Sequence, residues 1–125
     1  MTKPITISKP YIALATVWAM FILFATIANV QTLAALRLSD LFAFDKPIHM
    51  VLFGTQAWLI YRSKKQAGNT FLTTACIASF TYGILTELLQ AWLTTTRFFD
   101  YFDMLANGLG CVVVWWRLRP SKRVV

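Results

Sequence analysis

Glu87 and Gln90 stand three residues apart inside an apolar run, and Arg97, Asp100, Asp103, Asn107 and Gly110 follow within two dozen residues. A charge at the centre of a membrane-spanning helix costs roughly 3 kcal/mol on insertion scales. A chain that carries such a group normally has a use for it, in proton transfer, ion pairing or ligand binding. Upstream, Asp45-Lys46 and His49, the single histidine, repeat the same mixture of types. Glu87 and His49 are therefore the candidate acid and base, and so the candidate catalytic residues. Asp45, Lys46, His49, Glu87, Gln90, Arg97, Asp103 and Asn107 form the candidate binding set. The cations suit a phosphate or carboxylate, whereas Glu87, Asp45, Asp100 and Asp103 suit a divalent cation that in turn bridges to phosphate. The spacing matches no zinc pattern, so no resident metal or other cofactor is assigned, with Asp100 and Asp103 as the weak metal candidates.

Composition dictates what must position these residues. Hydrophobic residues make up 58% of 125 and charged residues 14%, with a mean hydropathy of +0.59. A water-facing domain carries roughly 25% charged residues, so lipid is the expected solvent. Four apolar segments give an all-α, four-transmembrane-helix bundle, with helices at about 11–30, 46–62, 71–93 and 104–118. The whole of 1–125 reads as one domain. The first segment lacks a small-residue cleavage site and reads as an uncleaved helix. Gly68-Asn69 marks the turn between the second and third helices.

Charge sorts the ends. Lys3 and Lys9, then Arg62, Lys64 and Lys65, then Arg117, Arg119, Lys122 and Arg123 fall on one side, nine of the twelve Lys and Arg residues. Arg37, Lys46 and Arg97 fall on the other. The positive-inside rule then predicts a multi-pass protein with both termini cytoplasmic. The net charge of +7 resides at helix ends rather than on a polar face, which argues against nucleic acid as a partner. Cys76 and Cys111 are expected at depths about 10 Å apart, too far for a disulfide, as small packing residues.

On this topology Asp45 and His49 share a face of the second helix, Glu87 and Gln90 a face of the third, and Asp103 and Asn107 a face of the fourth. Facing one another, they make an outward-facing polar pocket. Each also has a plainer reading. Asp45 and Asp103 are good helix caps, His49 can donate to Asp45 or a carbonyl, Asn107 can join helices, and Arg97 can meet lipid phosphate. The aromatic run Phe98-Phe99-Asp100-Tyr101-Phe102 fits a loop lying on the bilayer or a lid over a lipid or sugar. Trp92, Trp115 and Trp116 fit an interfacial belt.

Asp45-Lys46-x-x-His49-x-x-x-Phe53 resembles the first signature of the VanZ-like family, and Glu87-x-x-Gln90, Arg97, Asp103, Asn107 and Gly110 resemble its second. The resemblance runs from about Asp45 to Val114, with the first helix similar only in kind. Val114 and Cys111 depart from the pattern at positions that concern helix packing. The resemblance implies a small integral protein of the bacterial cytoplasmic (inner) membrane and cell envelope. The founding member of that family is associated with resistance to the glycopeptide teicoplanin, and the family supplies no mechanism. Three functions follow as expectations. The pocket binds or remodels a charged envelope component, with membrane lipid or a lipid-linked cell-wall precursor as partner. Alternatively it is an intramembrane enzyme acting on a lipid-linked phosphate or acyl group. Lastly, the chain is a structural subunit of a membrane complex. The oligomeric state is not encoded in any of these features.

Overall fold

The computed structural model describes residues 6–28, 45–65, 67–95 and 98–120, with the side chain of Asp45 also outside the description. These residues form four helices: α1 (Lys9–Ile27), α2 (Asp45–Arg62), α3 (Asn69–Leu93) and α4 (Tyr101–Leu118). The expected all-helical architecture is observed, and no strand occurs among the described residues. α1 and α3 are long and apolar enough to cross a membrane. At 1.5 Å per residue, α2 and α4, with 18 residues each, extend about 27 Å. Arg37 and Arg97 lie outside the described residues.

α4 begins three residues earlier than the apolar pattern suggests, and the reason is its cap. The Asp100 carboxylate accepts a hydrogen bond from the Phe102 backbone N–H at 2.8 Å. Asp103, read from sequence as a candidate cap, instead sits in the first turn with its side chain directed into the bundle. One residue type thus serves two purposes within a single turn: Asp100 closes the helix end, and Asp103 is released to face the other helices.

The helices pack around Ile22, Leu52, Phe53, Ala57, Leu72, Cys76 and Cys111. α2 and α4 approach most closely at glycines. A Cβ on Gly54 would lie 3.1 Å from the Gly110 carbonyl oxygen, and a Cβ on Gly110 would collide with the backbone of Met50. Without side chains at these points, two backbones come together and carry the polar residues of both helices with them.

Hydrogen bonds from side chains to backbone carbonyls knit the remaining contacts. Trp18 Nε1 donates to Leu52 O at 2.9 Å, joining α1 to α2. Tyr82 donates its hydroxyl to Ala19 O at 2.6 Å, joining α3 to α1. Ser79 donates to Phe53 O at 2.7 Å, joining α3 to α2. Trp115 Nε1 donates to Thr73 Oγ1 at 3.1 Å, so this tryptophan ties α4 to α3 as well as facing outward. Tyr82→Phe removes one such bond and keeps the ring. The expected result is a loss of about 0.5–1.5 kcal/mol in thermal unfolding in detergent, with the polar residues undisturbed.

The cysteines correct the sequence reading. Cys76 Sγ lies 3.4 Å from the Cys111 carbonyl oxygen, and both thiols are free and buried. The expected 10 Å difference in depth is absent. Cys76 is seven residues after the start of α3 (76 − 69), and Cys111 is seven before the end of α4 (118 − 111). The two helices run in opposite directions, so equal counts from these two ends give equal depth.

Candidate functional site: a buried polar cluster between three helices

Glu87 is 0% exposed, on the buried stripe of α3 that runs through Ser79, Gly83, Thr86 and Gln90. His49 reaches it from α2, with Nδ1 3.7 Å from Glu87 Oε1. Asp103 reaches it from α4, with Oδ2 3.9 Å from His49 Nε2. Asn107, also 0% exposed, stands one turn below Asp103, and its Oδ1 is 2.8 Å from His49 Nδ1. Three helices thus bring His49, Glu87, Asp103 and Asn107 into one cluster, and Gln90 is buried one turn beyond Glu87.

The histidine sets the logic of the cluster. The Asn107 amide oxygen facing Nδ1 suits the tautomer in which that nitrogen carries the proton and donates. Nε2 is then turned toward the Asp103 carboxylate. A neutral Nε2 presents a lone pair to an anionic oxygen, an arrangement that accommodates a proton or a metal cation between them. One ligand atom each from His49, Glu87 and Asp103 lies within 4.8 Å of the others. A single imidazole with two carboxylates is a donor set suited to Zn²⁺ or Mn²⁺. The sequence reading placed the weak metal candidates at Asp100 and Asp103. The geometry keeps Asp103, whereas Asp100 is engaged as the α4 cap.

The floor and wall of the cluster are shaped by residues that carry no charge. The Phe53 ring stacks under the His49 ring, with centroids 6.1 Å apart and planes at 22°. A Cβ on Gly83 would lie 2.8 Å from Asn107 Nδ2, so the amide fits only because α3 has no side chain there. Among the described residues Asn107 Nδ2 makes no hydrogen bond. Gly83 escaped the sequence reading, and so did Thr86, which is buried beside Glu87 and donates to the Gly83 carbonyl at 2.9 Å. Mid-helix glycine and threonine carry no local signal of what presses against them.

Lys46 covers the end of the cluster. Its Nζ lies 3.4 Å from Asp103 Oδ1 and 3.6 Å from Asp100 Oδ2, and 5.9 Å from the centroid of the Phe102 ring. Beneath it, His49, Glu87, Asp103 and Asn107 are all buried. Phe98, Tyr101 and Phe102 are exposed around it. A separate apolar cavity lies outside the cluster. It is a groove of about 800 Å³ between α3 and α4, lined by residues such as Phe80, Met104, Leu109 and Trp115. Of the remaining candidates, Asp45 contributes its backbone to the first turn of α2, and its side chain, like all of Arg97, lies outside the described residues.

The chain matches the family model described as VanZ/LLP1 over residues 4–119. It belongs to the VanZ/LLP1 family. The match takes in α1 as well as the three helices that carry the cluster, so the family relation extends further toward the N-terminus than the two signatures alone indicate. No curated protein and no solved structure matches the chain. VanZ membership, with two helices able to span a bilayer, points to a membrane protein of the VanZ type.

Proposed function

We propose that this VanZ-family protein crosses the bacterial cytoplasmic membrane four times, with both termini in the cytoplasm, and that the His49–Glu87–Asp103–Asn107 cluster holds a charged component of the cell envelope at its outer side. The asymmetry of nine cations against three supports the orientation. The single observation that carries the binding reading is the convergence of an imidazole, two carboxylates and an amide from three helices, buried in a 125-residue chain. Apolar side chains would hold three helices together without the desolvation of two carboxylates. α2 and α4 both begin at this end, so their positive dipole ends favour an anionic partner. The carboxylates favour a cationic group or a bridging divalent ion. A phosphate-bearing lipid or lipid-linked cell-wall precursor that enters with such an ion meets both demands. Lys46 is the group that must move to admit it. Cargo held there changes what a glycopeptide such as teicoplanin meets at the membrane surface.

The approach of His49 Nδ1 to Glu87 Oε1 favours a second reading, in which the same pair acts as acid and base on a lipid-linked phosphate or acyl group. Glu87→Gln distinguishes the two. The substitution keeps size and hydrogen-bonding capacity and removes the charge. Native mass spectrometry of the purified protein should show the wild type retaining a phosphate-bearing envelope lipid and Glu87→Gln losing it. Retention by the variant together with loss of turnover on that lipid supports the enzyme. Equal retention with an unchanged envelope phenotype would sink both readings.

A further inference from the structure

The opposite end of the bundle contains a second feature, built from residues that the polar cluster does not use. A cavity of about 410 Å³ is lined by Ser8, Tyr11, Tyr61, Arg62, Lys64, Lys65 and Ala67. Three of these are cations and none is acidic. Among the described residues Arg62, Lys64 and Lys65 pair with no carboxylate. Their partners are aromatic instead: the Arg62 guanidinium lies 5.2 Å from the Tyr11 ring centroid and 5.7 Å from that of Trp58, and Lys64 Nζ lies 4.8 Å from that of Phe71. Arg62 also donates to the Tyr11 hydroxyl at 3.2 Å. The aromatic contacts position the cations without neutralising them.

The backbone fixes the cavity's shape. Ser8 N donates to Ser63 O at 2.7 Å and Lys65 N donates to Thr6 O at 2.9 Å, an antiparallel clasp centred on Ile7 and Lys64. The clasp holds the start of α1 against the α2–α3 turn. Ser8 is 8% exposed and lines the cavity, and among the described residues its hydroxyl takes no hydrogen-bond partner. It is the N-cap residue of α1, and Ala67 immediately precedes Gly68, the N-cap residue of α3. Neither helix has a side-chain cap bond or an acidic residue in its first turn. Two positive helix ends therefore flank the cavity, and among the described residues no anion meets either of them there.

We propose that this cavity is a phosphate-binding site, held by Arg62, Lys64 and Lys65 with the Ser8 hydroxyl as a neutral donor. The phosphate belongs either to the headgroup of an anionic phospholipid or to a small soluble phosphate. The site lies at the other end of the helices from Glu87, and its test leaves the polar cluster untouched.

The experiment uses the full chain in detergent. Native mass spectrometry titrates phosphatidylglycerol against phosphatidylcholine, and thermal unfolding is followed with added glycerol phosphate and inorganic phosphate. Preferential retention of phosphatidylglycerol by the wild type identifies the lipid source. A thermal shift with the soluble phosphates and no lipid preference identifies the free one. In either case Lys64→Gln/Lys65→Gln, which leaves Arg62 and its aromatic contacts in place, should weaken binding about tenfold to thirtyfold, the effect of two basic residues near a membrane surface. Ser8→Ala should weaken it further without changing the unfolding temperature of the ligand-free protein. If the double variant does not fold, Ser8→Ala alone carries the test. Binding unaffected by either variant, or no discrimination of any phosphate probe by the wild type, overturns the proposal.

Discussion

Gly110→Val should abolish the folded bundle. A Cβ at this position meets the Met50 carbonyl oxygen, with the Met50 carbonyl carbon and Cα both 2.9 Å away. All three atoms are backbone in the middle of α2, so no rotamer change relieves the clash. α2 and α4 must separate, and the Gly54 contact on the same seam is lost with them. The cost is expected at or above the upper end of overpacking penalties, about 3 kcal/mol. In a protein of marginal stability that is enough to remove most of the folded population. Size-exclusion profiles and thermal unfolding in detergent should show aggregated or absent protein for Gly110→Val. Gly68→Ala is the control, because nothing lies within 4 Å of a Cβ there. A Gly110→Val protein that unfolds at the wild-type temperature would refute the close approach of α2 and α4.

Asn107→Leu should leave the bundle assembled and disable the cluster. Leucine branches at Cγ as asparagine does but is bulkier, so some overpacking against Gly83 adds to the cost. The acceptor for His49 Nδ1 is lost. Losing that buried hydrogen bond costs about 1–3 kcal/mol, and the imidazole is no longer held by the amide. The tautomer that points the Nε2 lone pair at Asp103 then has no support. Asn107→Asp makes the contrasting test, since it keeps an acceptor for Nδ1 but adds a third carboxylate beside Glu87 and Asp103. If the cluster binds through an oriented neutral histidine, Asn107→Leu loses ligand with modest destabilisation. Asn107→Asp should instead keep the imidazole held through Nδ1, visible in the histidine NMR resonances. Unchanged ligand retention in Asn107→Leu would show that His49 orientation is irrelevant.

Much of the fold is legible because lipid-compatible helices announce themselves. Apolar runs broken by Asp45-Lys46-Pro47, by Gly68-Asn69 and by Asp100 separate the described helices within a few residues. The grouping of His49, Glu87 and Asp103 is also traceable, since three polar residues at comparable distances from one end of antiparallel helices have few places to go. The identity of each partner is not. The pairing of His49 with Asn107 depends on the rotation of α2 against α4, which glycines at 54 and 110 set and which no local pattern records. The cysteine depths are misjudged when Cys111 is counted from the outer end of α4, because counting from Leu118 puts it seven residues in, as far as Cys76 lies from Asn69. Lys64 and Lys65 counted only toward orientation, because sequence order hides the clasp that brings Ser8 beside them. The functional assignment of the cluster rests on chemistry rather than on pattern, since identical residues serve equally well as caps and interhelical ties.

α1 supplies no residue to the polar cluster. It is attached by the Trp18 and Tyr82 bonds to carbonyls and by the Ser8–Ser63 clasp. None of these depends on what α2, α3 and α4 do chemically. The molecule is therefore modular: three helices that carry the polar cluster, backed by a buttress. Laboratory grafting of a different first helix should preserve the geometry of the cluster, provided the newcomer offers an indole to Leu52, a carbonyl to Tyr82 and an extended segment to the clasp.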